Sequence, residues 1–154
     1  MPECLFCTYQ HKYPELVLMA TDHFFIIPNA FPTTPKYLLI VSREHLDNQF
    51  CLPEEIWHSL QDTINDALQL SWNDNVYWLE IYNQIIDYNF HPTSICACQK
   101  ALHSKYLQAK PTCYNVGINV GTDAGQTINH FHLHVLPRYH GDSTTPCGIG
   151  QIIK

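Results

Sequence analysis

A chain of 154 residues with 45% hydrophobic and 14% charged side chains predicts one globular domain, residues 1–154, and excludes a disordered or collagen-like protein. The net charge is -6 and the eight basic residues are scattered, which argues against a nucleic-acid partner. No apolar run approaches the roughly 18–20 residues that span a bilayer, and the N-terminus lacks a basic and apolar signal region. We therefore expect a cytoplasmic protein without a membrane partner.

The first third of the chain predicts three strands. Residues 15–19 and 23–27 are apolar runs separated by Thr21-Asp22, which indicates a hairpin. Prolines then interrupt any regular ladder until residues 37–41, whose sequence YLLIV is typical of a buried strand.

The middle of the chain predicts helices. Residues 53–70 begin with a proline and two acidic residues, as in a first helical turn, and then repeat apolar residues at helical spacing. The apolar spacing of residues 79–86 favours a second helix, although residues 76–80 would equally begin a strand. Residues 99–108 predict a third helix.

The last third predicts a second hairpin. Residues 114–120 alternate apolar and polar side chains, residues 121–127 form a glycine-bearing loop, and residues 128–136 form the returning strand. Pro137 is expected to end that strand.

Three histidines, His130, His132 and His134, alternate with apolar residues in this returning strand. Because successive side chains of a strand point to opposite faces, the imidazoles are predicted to share one face, about 6–7 Å apart. Such a row suits metal ligation or attack by a neutral imidazole on an electrophile. The alternative is that the three histidines are solvated side chains on the polar face of the strand and have no chemical role.

Segments 117–121 (GINVG), 124–127 (AGQT) and 130–138 (HFHLHVLPR), with residues 29–45 upstream, closely resemble the histidine triad (HIT) superfamily of nucleotide hydrolases and transferases. The resemblance implies an α+β fold, an antiparallel sheet of about five strands with a long helix packed on it and, in this chain, a partly helical insertion. It also implies a homodimer in which two sheets join.

By this resemblance, His132 is the nucleophile that attacks the α-phosphate of a nucleotide and forms a transient nucleotidyl-histidine, which water then cleaves. His134 would contact the same phosphate, and Asn29 would hold the ribose hydroxyls. Amide side chains and backbone N–H groups can donate to phosphoryl oxygens, and these side chains can also stabilise their own turns. The positions expected near the phosphates or the leaving group are Asn119, Gly125, Gln126 and Thr127.

The expected function is a nucleotide hydrolase or nucleotidyl transferase that cleaves a phosphoanhydride or phosphoramide bond and requires no catalytic metal. Residues 135–142 resemble the branch that hydrolyses diadenosine polyphosphates more than the phosphoramidase branch. One alternative enzyme transfers the nucleotide to a phosphate or sugar phosphate. Two further alternatives are a non-catalytic nucleotide-binding scaffold and a catalytic metal centre made of the histidine row.

A metal site is also predicted. The seven cysteines lack the spacing of a secreted disulfide scaffold, and Cys4 and Cys7 have the C-x-x-C spacing that brings two thiolates to one tetrahedral metal. A redox motif would instead follow a strand and open a helix, and ordinary thiols are the remaining alternative. Bacterial-type members of the family add two histidines to such a pair, which implies a structural zinc site of Cys4, Cys7, His45 and His130, with His11 as an alternative to His45.

Two features depart from the family resembled. Lys36-Tyr37 stands where many members carry a histidine after glycine, so the support of the histidine row differs in this chain. Residues 71–100 exceed what a minimal member needs, and this insertion is expected to be a surface elaboration, with a lid or a dimer contact as alternatives.

Overall fold

The computed structural model describes residues 3–143 and Gly148, so the predicted domain of residues 1–154 extends beyond the described residues at both ends. The strands are β1 (Met19–Ala20), β2 (Phe24–Pro28), β3 (Leu38–Ser42), β4 (Cys113–Gly117) and β5 (His132–Arg138). The helices are α1 (Leu5–Lys12), α2 (Glu54–Trp72), α3 (Trp78–Tyr88) and α4 (Pro92–Leu102). The strands form one antiparallel sheet in the order β1-β2-β3-β5-β4, which confirms the predicted α+β architecture.

One face of the sheet is covered by α2. The helix buries an apolar stripe that includes Ile56, Leu60 and Ala67, and its Ser71 hydroxyl hydrogen-bonds the Tyr114 hydroxyl of β4 at 2.6 Å. Since strand side chains alternate, this is also the face that carries the predicted apolar partners of the histidine row. All three are buried: Phe131, Leu133 and Val135.

The opposite face carries His132 and His134 and lies against α1. The ring of Phe6 sits 5.3 Å from the ring of His132, and the ring of Tyr9 stacks on Phe25 of β2 at 6.3 Å. A cleft remains between α1 and the sheet beside the two histidines. None of the helices in the described part of the chain combines the length and apolar character needed to cross a membrane.

The N-terminal predictions need correction. The strand expected over residues 15–19 is wrong, because Pro14–Leu16 is a 3₁₀ turn and only Met19–Ala20 pairs with β2. Proline suits the first position of such a turn, since its φ is preset and it has no N–H to pair. Helix α1 was not predicted, and its eight residues begin directly after Cys4.

Two of the three helical predictions for the middle of the chain are confirmed, and the third, residues 99–108, is wrong at both ends because the observed helix ends at Leu102. The long helix and the second helix are confirmed as α2 and α3, so the strand alternative at residues 76–80 is wrong. The third helix begins at Pro92 rather than at residue 99. Its start signal is the His91 ring, whose Nδ1 accepts the N–H of Thr93 at 3.1 Å, followed by a proline at the first helical position.

The predicted C-terminal hairpin exists with shifted bounds. Strand β4 ends at Gly117 rather than at residue 120, and β5 begins at His132 rather than at residue 128. Pro137 does not end β5. The pairing of β5 with β3 stops at Val135, so Pro137 pairs only with Tyr114 on the β4 side and its missing N–H costs no bond to β3.

Candidate active site and metal centre

A pocket of about 690 Å³ lies over the histidine-bearing face of the sheet. Its apolar lining comes from α1, from β2 and the segment after it, from the turn between α3 and α4 and from the loop before β5. The histidines and two further polar side chains lie along its lining. The apolar wall includes Leu5, Tyr9, Phe31, Phe90 and Ile128, and the polar lining is Asn29, Thr127, His132 and His134.

A backbone oxygen just before β5 holds the His132 ring in one orientation. Its Nδ1 lies 2.8 Å from the backbone oxygen of His130, and a carbonyl oxygen can only accept, so the ring hydrogen is on Nδ1. Nε2 therefore carries the lone pair. Burial lowers the pKa of His132 below its ordinary value of 6.5, against the opposing effect of the His130 carbonyl. The result is a neutral imidazole with one free nitrogen in the pocket lining.

His134 lies beside it, with 5.1 Å between the two ring centres. Its Nδ1 is 2.8 Å from the Tyr37 hydroxyl, and its Nε2 is 3.4 Å from the amide nitrogen of Asn119. Burial, followed by the nearby His132, lowers the pKa of His134 to about 4. At neutral pH both pocket histidines are therefore uncharged.

The prediction of three imidazoles on one strand requires correction, because only His132 and His134 belong to β5. His130 precedes the strand, and its ring is fully buried between Phe6 and His45. Its Nδ1 faces the thiols of Cys4 and Cys7 rather than the pocket. The row is thus divided between two sites, two rings in the pocket and one in the metal cluster.

The predicted nucleotide-binding residues fall in different places. Asn29 and Thr127 line the pocket, and the Asn29 side-chain oxygen also accepts the N–H of Phe31 at 2.8 Å, so it stabilises its own bend as well. Asn119 reaches the pocket through His134. Asn29 and Thr127 thus share the pocket lining with the two histidines, and Asn119 contacts one of them.

Gly125 and Gln126 shape the loop between β4 and β5. Gly125 has φ +87°, a conformation that favours glycine, and a Cβ there would lie 3.6 Å from the Asn119 amide nitrogen. The Gln126 amide oxygen accepts the Gly121 N–H at 2.8 Å, and its nitrogen donates to the Asp47 backbone oxygen at 2.6 Å. In this structure Gln126 braces the loop and does not line the pocket.

The four predicted metal ligands converge. The ligand atoms of Cys4, Cys7, His45 and His130 all lie within 4.8 Å of one another. The sulfur-to-Nδ1 distances are 3.4 Å for Cys4 with His130, 3.2 Å for Cys7 with His45 and 3.6 Å for Cys7 with His130. Bonds of about 2.3 Å to sulfur and about 2.0–2.1 Å to nitrogen at a tetrahedral zinc place such atoms about 3.5 Å apart. The observed edges match that size.

The surroundings of the cluster also suit a metal. His130 Nε2 lies 2.8 Å from the Ser42 backbone oxygen, and His45 Nε2 lies 3.6 Å from the Asp47 carboxylate. Such outer partners hold the second ring nitrogen and leave Nδ1 free for a metal. His45, not His11, completes the cluster, and no other group of three candidate ligands occurs within the described residues.

Two residues of the site were missed from the sequence, one that contacts a pocket histidine and one that lines the pocket. Tyr37 was noted only as a departure from a family motif, yet its hydroxyl contacts His134. Phe90 lies in the insertion, between α3 and α4, and its ring packs 4.8 Å from Tyr13 while lining the pocket. The insertion therefore contributes a pocket wall, which the expectation of a surface elaboration did not include. Aromatic residues in a turn carry no periodic signal that would have identified this role.

Residues 10–141 match the family model described as "HIT domain". The chain is 44% identical over 46 residues to "AP-4-A phosphorylase" of Mycobacterium tuberculosis, a match of 29% of this chain and 24% of that protein. It is 22% identical over 137 residues to an uncharacterized 16.1 kDa HIT-like protein of Mycoplasma pneumoniae, covering 88% of this chain and 72% of that one. The chain thus spans about a quarter of the length of the first curated relatives, 24% and 26%.

Solved structures share the fold. A Zn-bound histidine triad family protein from Mycobacterium smegmatis superposes with a TM-score of 0.58 at 22% identity, covering 95% of this chain and 82% of that one. A Hit-like protein from Bartonella henselae gives a TM-score of 0.61 at 14% identity, covering 95% and 83%. At these identities the likeness bears on the fold alone.

Proposed function

The chain belongs to the HIT domain family, and from that premise we propose that it is a cytoplasmic nucleotide hydrolase or nucleotidyl transferase that reacts through His132. The observation that carries the proposal is the 2.8 Å contact between His132 Nδ1 and the His130 backbone oxygen. It leaves Nε2 as a free nucleophile in a pocket of about 690 Å³.

The reaction consists of two displacements at one phosphorus atom. Nε2 of His132 attacks the α-phosphorus, a nitrogen–phosphorus bond forms, and the bond to the leaving oxygen breaks with its electron pair. Water then attacks the same phosphorus, and the electron pair of the nitrogen–phosphorus bond returns to the ring. His134 and Asn119, which contact each other beside His132, would stabilise the phosphoryl oxygens.

The substrate is bound by the rest of the pocket. Asn29 reaches the ribose hydroxyls, Thr127 contacts the phosphates or the leaving group, and the base lies against the apolar side chains of the lining. The backbone N–H of Gly125 donates to the Thr122 backbone oxygen at 2.9 Å, so it reaches the phosphates only if that bond rearranges. Gln126 reaches the leaving group only if its bonds to Gly121 and Asp47 rearrange, since both of its amide atoms are engaged. Adenine dinucleotide polyphosphates are the first substrates to try.

Transfer to phosphate is a second candidate outcome. The relative named "AP-4-A phosphorylase" is 44% identical over its matched 46 residues, and its printed name describes phosphate as the acceptor. In that case inorganic phosphate replaces water in the second displacement. Added phosphate would then change the products from a nucleoside monophosphate to a nucleoside diphosphate.

We also propose that the cluster holds a structural zinc ion. Cys4, Cys7, His45 and His130 would supply all four ligands, so the metal would have no open position for substrate. Bound there, zinc would tie α1 to the entry of β5 and thereby support the strand that presents His132. It adds stability rather than chemistry.

A homodimer fits the sheet topology. Strand β4 is an edge strand of five residues, and within the described chain only β5 pairs with it. An unpaired edge of this length is suited to pair with another strand. We propose that two copies join their sheets there.

The test of the proposed function is turnover of a panel of dinucleotide polyphosphates between pH 5 and 8. Because the pKa of His132 lies below 6.5, the neutral ring persists as pH falls, and the acid limb of kcat/KM should lie below pH 6.5. Acid quenching should trap a nucleotide on histidine. Absence of turnover on every member of the panel would refute the function, and an acid limb above pH 6.5 would refute the assignment of His132.

Replacing Phe90 with alanine should raise KM for a dinucleotide by about tenfold, because stacking of a base on an aromatic ring is worth roughly 1–3 kcal/mol. The value of kcat should stay within about threefold, since Phe90 is not placed near the phosphate. Steady-state kinetics measures both. Phe50→Ala is the matched control, because that ring is 82% exposed and outside the pocket lining. An unchanged KM would show that the base does not reach this wall.

A further inference from the structure

Two side chains of the insertion hold one backbone oxygen beside the pocket. The Ser94 hydroxyl of α4 donates to the Ala30 backbone oxygen at 2.5 Å, and the Cys98 thiol donates to the same oxygen at 3.7 Å. Both side chains are fully buried, and they are four residues apart, so they share one face of α4. Burial raises the pKa of Cys98 to about 11, so the thiol keeps its hydrogen at neutral pH. Ala30 is part of the pocket lining, although α4 is not.

This oxygen belongs to the peptide group between Ala30 and Phe31, in the centre of a bend formed by residues 29–31. The N–H of the same peptide group donates to the Asn29 side-chain oxygen at 2.8 Å. Because a trans peptide group is planar, its C=O and N–H point in opposite directions, so fixing the oxygen also fixes where the N–H points. Helix α4 therefore determines, through one rigid group, where the Asn29 side-chain oxygen is held.

The rest of the bend is held less directly. The Asn29 N–H donates to the Tyr37 backbone oxygen at 2.8 Å, which ties the start of the bend to the segment before β3. At its other end, the Phe31 side chain is 46% exposed and its ring lies 6.4 Å from the His91 ring, at the start of α4. Ala30 has no polar side chain, so its peptide group is oriented by donors from outside the bend. Within the described residues, the side-chain donors to its oxygen both come from α4.

We propose that Ser94 is a positioning residue that, together with Cys98, orients the Asn29 side chain for the ribose of a bound nucleotide by holding the peptide group between Ala30 and Phe31. The inference rests on the proposed function for the contact between Asn29 and the ribose. An amide oxygen has two lone pairs, so the Asn29 oxygen can accept from Phe31 and from one ribose hydroxyl at the same time. The insertion then takes part in substrate recognition through α4, in addition to forming a pocket wall.

The first measurement compares the binding of adenosine monophosphate with that of its 2′,3′-dideoxy analogue, which lacks both ribose hydroxyls, by calorimetric titration of the full chain. The wild-type protein should prefer the ribonucleotide by about tenfold, the usual effect of one or two neutral hydrogen bonds. In Ser94→Ala this preference should fall below about threefold, while affinity for the analogue, which does not use Asn29, stays within about twofold of wild type. Asn29→Ala should abolish the preference, and adding Ser94→Ala to it should cause no further loss.

The second measurement needs no nucleotide. The side-chain amide signals of Asn29 in the NMR spectrum should move in Ser94→Ala, because the N–H that its oxygen accepts is no longer held in one direction. Ser94→Cys keeps a donor of weaker strength in a site of similar size, so it should show smaller changes in the same direction, both in these signals and in the nucleotide preference. This second variant decides the question if Ser94→Ala does not fold.

Thr63→Val is the matched control. The Thr63 hydroxyl is also buried and donates to a backbone oxygen, that of Ser59 at 3.1 Å, but it lies on α2 and outside the pocket lining. This variant should keep the wild-type preference and the wild-type signals of Asn29. Folded Ser94 variants that keep both would overturn the inference and leave the proposed function standing. If the wild-type protein binds neither nucleotide, the proposed function fails, and the Asn29 signals alone decide the inference.

Discussion

Replacing His132 with alanine should lower turnover of a dinucleotide polyphosphate by about 10,000-fold or more, because the variant lacks the atom that forms the covalent intermediate. Substrate affinity should change by less than about tenfold, since the other pocket residues remain. Single-turnover kinetics and calorimetric titration measure the two effects. No nucleotide should be trapped on the variant after acid quenching.

Two further variants make this result interpretable. His132 is buried, so alanine leaves a gap beneath Phe6, and His132→Gln fills part of that space without a nucleophilic ring nitrogen. His58 is an exposed histidine on α2, and His58→Ala should leave turnover unchanged. If His132→Gln retained most of the wild-type rate, the covalent mechanism would be wrong. A non-catalytic scaffold would instead show binding in every variant and turnover in none, wild type included.

Replacing Cys7 with serine should reduce the zinc content from about one ion per chain to near zero and lower the melting temperature by about 10 °C or more. A tetrahedral site loses most of its affinity with one thiolate, and a loss of about 3–5 kcal/mol corresponds to such a shift in a chain of this size. Elemental analysis and calorimetry measure the two effects. A chelator should reproduce the shift in the wild-type protein.

Cys96→Ser is the control for this substitution. Cys96 is also exposed and has a free thiol, but it lies on α4, away from the cluster and from the proposed dimer edge. It should leave both zinc content and melting temperature unchanged. The metal site would be ruled out if the wild-type protein contained no zinc and a chelator did not change its melting temperature. Complete loss of turnover in protein that is still folded after chelation would instead favour a catalytic metal.

The three histidines show what an alternating sequence pattern can and cannot predict. Alternation along the chain predicts that Leu133 and Val135 enter the core while His132 and His134 face the other way, and the structure has this arrangement. The departure of His130 from the row could not be read from alternation. It depends on where β5 begins, and strand ends are set by pairing with β3 rather than by the residues themselves.

The helices also differ in this respect: the sequence pattern identifies α2, whereas α1 depends on tertiary contacts. The apolar spacing of α2 was sufficient to identify it, because one face of a long helix must be buried. The short helix α1 has little amphipathic signal, and its Phe6 and Tyr9 are buried by contact with rings on the sheet. Its existence depends on the sheet that it covers, since a helix of eight residues is marginal alone.

The sequence by itself determined the chemistry available to this protein: a two-cysteine turn, alternating histidines and an amide-bearing glycine loop, each encoded within a few neighbouring residues. Only the tertiary structure decided which of them meet. Cys4 and His130 are 126 positions apart, and Tyr37 and His134 are 97 apart, yet each pair is in contact. Phe90 likewise reaches the pocket from the insertion. Such contacts arise from packing of the whole chain around one sheet, and spacing along the sequence does not encode them.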